Sequence, residues 1–338
     1  MQGLMRSALA SLLLTSGACI AHSASAISTP EREGYLPGWS GVRIHYRVLG
    51  SGPDTIVAVH GGPGAGMHAI LPELRPLAGT QTVIFYDQRG GGYSELPSDT
   101  TLLGATEHVQ DLEAVRRFFK LEKLTLVAHS FGSVLVARYA QDFPDRIERM
   151  VFFGAVGPRR AEAAQQARAP AMAADSALQA RWLAAMRSLM GGSAADPVVA
   201  CREYEAVGRQ MAVALGESGN WQGTTCAMPP EAVRYYYRYT ARLGPQDFGD
   251  WDFSHSLRHV EAPLLVIAGD QDPGSFNVQR AWAAALPLGR LFAIPGAGKT
   301  ASADRPDLFF PAVETFLAGR WPANAETTAT LLPGSNPR

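Results

Sequence analysis

Lysine is scarce in this 338-residue chain: of 30 lysines and arginines, only Lys120, Lys123 and Lys299 are lysine. A lysine inside a motif therefore stands out against an arginine-rich background. Charge of one sign is not in excess either, with 30 basic against 31 acidic residues and no long run of either. Nucleic acid and anionic lipid, which are held by dense positive charge, are thereby excluded as expected partners. Cysteine occurs only at positions 19, 201 and 226. There is no Cys/His cluster at metal-ligand spacing and no dinucleotide or P-loop glycine signature, so no metal or cofactor is expected. Internal repeats are absent. What the chain does have is a hydrophobic share of 46%, enough to bury a full core.

The N-terminus has the composition of an export signal. Arg6 supplies a positive start, Ala8 to Ile20 an apolar stretch, and Ala24-Ser25-Ala26 a small-residue cleavage site. The apolar stretch is too short and too broken by Ser and Gly to cross a bilayer of ~30 Å. Cys19 is a poor lipid-attachment site, because Ser16 stands where a branched aliphatic residue is wanted. Cleavage after Ala26 and a periplasmic or secreted protein, free of the membrane once cleaved, are expected. Only Cys201 and Cys226 then remain, and an oxidising compartment can join them. A Cys201–Cys226 disulfide is the expectation, with two separate buried thiols the alternative, since spacing alone does not bring them together.

Dense, β-rich apolar runs recur along the chain. Arg43 to Val48 alternates like a half-buried strand, whereas Thr55–Val59, Thr82–Tyr86 and Leu124–Val127 are more densely apolar. Such runs suit strands of a parallel sheet covered on both faces. Met150–Phe153, Pro263–Ala268 and Leu291–Ile294 continue the series. Helical spacing appears between them, through Val109, Leu112, Val115 and Phe119, then Val134, Leu135, Tyr139 and Ala140, and later over 278–286 and 307–320. From 158 to 254 the chain is rich in Ala, Arg, Gln and Met with no strong strand. The expected class is α/β: a mostly parallel, doubly wound sheet with a helical cap insertion. The expected divisions are a signal peptide over 1–26, core over 27–157, cap over 158–254, core again over 255–322, and a disordered tail over 323–338.

Two motifs fall at strand ends, where such sheets bind ligands. Ala128-His129-Ser130-Phe131-Gly132 follows a strand and opens a helix, matching G-x-S-x-G except at Ala128. A sharp turn there needs small neighbours and presents Ser130 as a nucleophile. His60-Gly61-Gly62-Pro63-Gly64 follows the strand ending at Val59. With the Phe131 N–H, the backbone of Gly61 and Gly62 is the candidate oxyanion hole, each donor contributing about 3 kcal/mol to transition-state stabilisation.

These motifs, together with Asp87-Gln88-Arg89-Gly90-Gly91-Gly92-Tyr93-Ser94, resemble the proline iminopeptidase family of serine aminopeptidases, which implies the α/β-hydrolase fold. The resemblance covers most of 34–157 and 255–320 and is loose across the insertion. It implies release of an N-terminal proline or other apolar residue from small peptides. Asp87 and Arg89 are then braces for the loops around the site. In Gly269-Asp270-Gln271-Asp272-Pro273, the family's spacing makes Asp272 the triad acid. In the cap, Cys201-Arg202-Glu203-Tyr204-Glu205 is similar to the family's ammonium-binding segment, with Glu205 the first candidate and Glu203 the second.

The pattern then breaks. The fold's chain order is Ser, Asp, His, but Pro295-Gly296-Ala297-Gly298 is followed by Lys299, and no histidine occurs after His259. His129 neighbours the nucleophile but is expected to point away from it. A lysine base must be neutral, and a free lysine has a pKa of about 10.4. An Asp272 carboxylate beside it would favour the charged form. The expected state is a Lys299–Asp272 ion pair that leaves Ser130 without a base. Impaired peptidase activity is the leading expectation, ahead of a working Ser–Lys dyad. Esterase or amidase activity on small substrates and a non-catalytic binding role are the alternatives.

Overall fold

The computed structural model describes residues 31–164, 175–214, 218–242, 247–271 and 273–327. The export signal expected over 1–26 lies outside them, as does Asp272. The strands are β1 (Glu31–Pro37), β2 (Arg43–Leu49), β3 (Thr55–Val59), β4 (Thr82–Tyr86), β5 (Leu124–His129), β6 (Ile147–Phe153), β7 (Leu264–Gly269), β8 (Gly289–Ile294) and β9 (Glu326–Thr327). They make one nine-stranded sheet in the order β1-β2-β4-β3-β5-β6-β7-β8-β9. Pairing is parallel from β4 through β8 and antiparallel at both edges.

The apolar runs are explained by cover on both faces. Val57 and Val59 of β3 join the core beneath α2 (Ala105–Phe118) and α3 (Gly132–Asp142), while Ile56 and Ala58 face the opposite layer. That second layer contains α1 (Leu71–Leu74) and, near the C-terminus, a helix over Pro306–Leu317, which contributes Phe309, Val313 and Phe316. Alternate residues of one strand thus serve two cores.

The insertion contains α4 (Ser176–Met190), α5 (Pro197–Ala214) and α6 (Pro230–Tyr235), the last running into a π-helical turn at Tyr236–Thr240. Asp175 caps α4 by accepting from the N–H groups of Ala177 and Leu178, each at 2.9 Å. Asp196 does the same for α5 through Val198 and Val199. Arg159 and Asp252 face each other in an isolated antiparallel bridge near the insertion's two ends. Cys201 on α5 and Cys226 form a disulfide.

The fold differs from expectation at both edges of the sheet. β1 has only Leu36 buried, so it lacks the apolar density that marks the other strands. It is held by backbone pairing to β2 over its full length. Residues 323–327 were expected to begin a disordered tail, but Glu326 and Thr327 pair with Leu291 and Arg290. An edge strand offers unpaired backbone groups to any nearby chain, and Trp321 holds this segment close by stacking under Arg290, 4.4 Å from its guanidinium. The helix expected over 278–286 begins earlier: α7 spans Pro273–Ala285. It is followed by α8 (Ala301–Asp304) and α9 (Pro306–Leu317).

Candidate active site

Ser130 sits between β5 and α3 with φ of 52°, in the left-handed region. A non-glycine residue is held there at a cost of about 1–2 kcal/mol, and the surroundings enforce it. The Ser130 carbonyl accepts from Ser133 N–H at 3.1 Å, Ser133 Oγ at 2.7 Å and Val156 N–H at 3.3 Å. The turn also requires glycine at 132, because a Cβ there would lie 2.4 Å from the Val59 carbonyl oxygen. Ala128, where the motif usually has glycine, is fully buried in β5 between Val59 and Phe152.

The loop after β3 comes against the nucleophile. A Cβ built on Gly61 would be 2.8 Å from Ser130 Cβ and 3.2 Å from its Oγ. Position 61 therefore takes a side chain only if the loop moves off the nucleophile. His60 fixes this loop from behind: its Nδ1 donates to the Gly61 carbonyl at 2.7 Å, and its Nε2 accepts from Gln88 N–H at 3.1 Å. Burial lowers the pKa of His60, in keeping with that neutral tautomer. Gln88 bridges further, donating to the His60 carbonyl and accepting from Gly64 N–H. The D-Q-R motif had singled out its flanking charges, and Gln88 was passed over.

Asp87 and Arg89 are fully buried braces. Asp87 accepts from Met67 N–H at 2.6 Å and Tyr93 N–H at 2.9 Å, and it pairs with His45 Nδ1 at 2.9 Å. Arg89 grips Asp111 with two bonds of 2.6 and 2.7 Å and donates to the carbonyls of Leu102 and Trp39. Neither charge lines the cavity in front of Ser130.

That cavity has a volume of about 510 Å³. Gly61, Gly62, His129, Ser130, Glu205 and Lys299 all contribute to its wall. The lysine at the histidine position thus shares one chamber with the nucleophile. Asp304 fixes the turn that carries it, accepting from Gly298 N–H at 2.8 Å and Thr300 Oγ at 3.2 Å, and also from the Ser218 hydroxyl of the cap. Asp270 holds the neighbouring turn through Gly296 N–H at 2.8 Å. Gln271 N–H donates to the Ala297 carbonyl at 2.9 Å, so the segments leading to positions 272 and 299 run side by side.

The profile of the alpha/beta hydrolase fold covers residues 54–306. The chain belongs to the alpha/beta hydrolase fold family. This hydrolase-fold protein is 26% identical over 259 residues to a proline iminopeptidase of Lactiplantibacillus plantarum, covering 69% of its own length and 82% of that protein. It is 35% identical over 101 residues to the proline iminopeptidase of Heyndrickxia coagulans, a match spanning only 30% of this chain and 35% of that one. The solved Mycobacterium smegmatis proline iminopeptidase superposes with a TM-score of 0.60 at 19% identity, over 85% of this chain and 98% of that one, a likeness of fold. The hydrolase-fold protein is therefore proline iminopeptidase-like.

The cap candidates part company. Glu205 lines the cavity, but its carboxylate accepts from Thr224 Oγ, Thr225 N–H and Thr225 Oγ at 2.6–2.7 Å, with Arg209 at 3.8 Å. Glu203 is exposed and does not line the cavity. Helical geometry explains this: two residues along α5 turn its side chain to another face. His129 also departs from expectation. It does not point away but joins the cavity wall, stacked on Trp221. The motif gave its position and not its direction.

Proposed function

We propose that this protein is a serine hydrolase of the proline iminopeptidase type that releases an N-terminal proline or other compact apolar residue from small peptides. We further propose that Lys299 slows its turnover. The observation that carries this reading is Ser130 held in the left-handed region with Gly61 pressed against it at the wall of an aromatic-lined cavity. In such a site Ser130 Oγ attacks the scissile carbonyl, giving up its proton to solvent. The developing oxyanion takes hydrogen bonds from the N–H of Phe131 and from the Gly61–Gly62 backbone. Collapse breaks the C–N bond, the amine leaves with a proton from solvent, and water hydrolyses the acyl-enzyme to free Ser130.

Proton transfer is where the machinery is weak. Lys299 is exposed rather than buried, unlike the buried lysines that act as general bases. As a cation beside the nucleophile it stabilises negative charge but accepts no proton. Loss of the base alone lowers turnover by about 10⁶ in serine proteases.

The experiment is labelling with a fluorophosphonate probe, with the adduct located by peptide mass spectrometry. Slow, stoichiometric modification of Ser130 is expected. Lys299 also favours a second reading, a binding protein that has kept the pocket and lost catalysis. Silence toward the probe with tight peptide binding selects that reading. Export belongs to the same proposal, supported by the leader composition and by the disulfide. The N-terminus of the native protein is expected at Ile27.

A further inference from the structure

In a Ser–Asp–His arrangement, the histidine hands its proton to the departing amine, so whatever occupies that position stands beside the leaving group. Lys299 occupies it by chain order, after the last parallel strand, and it lines the same cavity as Ser130. An ammonium there cannot accept a proton, but it is a compact charge with three donors.

The charges around it are uneven. Lys299 and Arg209 both line the cavity, and Glu205 is the only carboxylate among the described lining residues. Glu205 is occupied by Thr224, Thr225 and Arg209. Lys299 makes no ion pair with any described residue. Among the described lining residues this leaves one positive group, Lys299, on the leaving-group side to be matched.

We propose that Lys299 reads a carboxylate on the leaving group, so that this cavity selects small amides or esters whose departing fragment ends in a free carboxylate, a dipeptide in the peptide case. The covalent geometry supports dipeptides in particular. The α-carboxylate carbon of the leaving residue lies two bonds, about 1.46 and 1.52 Å long, from the leaving nitrogen. A group placed to meet that nitrogen also meets the carboxylate. In a longer peptide or a C-terminal amide, the same carbon is a neutral carbonyl. The side of the cavity rests on the hydrolase reading, but the ion pair needs no turnover.

The test is equilibrium binding to the intact protein, followed by calorimetry or by fluorescence of Trp182 and Trp221, both in the cavity wall. The probes are prolyl-phenylalanine and prolyl-phenylalaninamide. The acid is expected to bind about twofold to fivefold tighter than the amide, the range of an exposed ion pair. High salt should narrow the gap. Lys299→Met should level the two affinities, and Lys299→Arg should preserve the preference. Equal affinities in the native chain, a preference that survives Lys299→Met, or no binding of either probe overturns the proposal. A chain that prefers the acid yet resists fluorophosphonate retains this inference and loses the hydrolase reading. A labelled Ser130 without the preference does the reverse.

Discussion

His129 lies nearly flat on Trp221, with ring centroids 4.6 Å apart and planes inclined by 26°, and Phe153 packs on the same imidazole at 4.9 Å. Burial and then the Lys299 charge push its pKa down to about 3. The ring is therefore neutral near pH 7, yet it is too weak a base to serve Ser130. His129→Phe is expected to leave the rate of fluorophosphonate labelling almost unchanged. A loss of about 10² or more, the contribution of a general base, would instead make His129 the proton acceptor.

Restoring the missing base is the converse experiment. Lys299→His places an imidazole on a turn already held by Asp304. Hydrolysis of aminoacyl-arylamides is expected to rise by about 10² or more. A variant no faster than the native chain would mean that position 299 is not the base position.

Gly61 offers a steric test independent of proton transfer. Its missing side chain is what lets the loop approach Ser130, since a methyl would intrude to 2.8 Å from Ser130 Cβ. Gly61→Ala is expected to fold and to lose about 10² in labelling rate, the effect of removing an oxyanion donor. Unchanged labelling would move the oxyanion hole elsewhere.

Acid should weaken the fold through its buried histidines. Burial, reinforced by Arg89 and His60, lowers His108 to about 3, and both of its ring nitrogens are buried without a hydrogen-bond partner. Between pH 6.5 and 3 the unfolded chain binds a proton that the folded chain refuses, so stability falls as pH falls through that window. At pH 5 the loss is about 2 kcal/mol per such histidine. His108→Leu is expected to match or exceed the native chain at pH 7 and to lose less on going to pH 5. Urea midpoints at the two pH values check this, and an unchanged pH dependence would refute it.

Much of this was readable in the sequence because it depends on local signals. Strands buried on both faces declare themselves by apolar density, and the turns at Ser130 and Gly61 by the small residues that close approach demands. What stayed hidden depends on partners far along the chain. β1 is defined by pairing with β2 rather than by its own composition. Glu205 looks like any helix carboxylate until Thr224 and Thr225 return to it. The direction of His129 is set by Trp221, which lies 92 positions on by subtraction of the residue numbers.

The carboxylate of Asp304 joins two parts of the molecule that differ in origin: the Ser218 hydroxyl belongs to the cap, while Gly298 and Thr300 flank the lysine of the core. Trp221 stands three residues beyond Ser218, at the cavity wall. A guest that displaces the indole therefore pulls on the same tether that aims the ammonium. Variants at Ser218, which does not itself line the cavity, should retune which guests the pocket accepts.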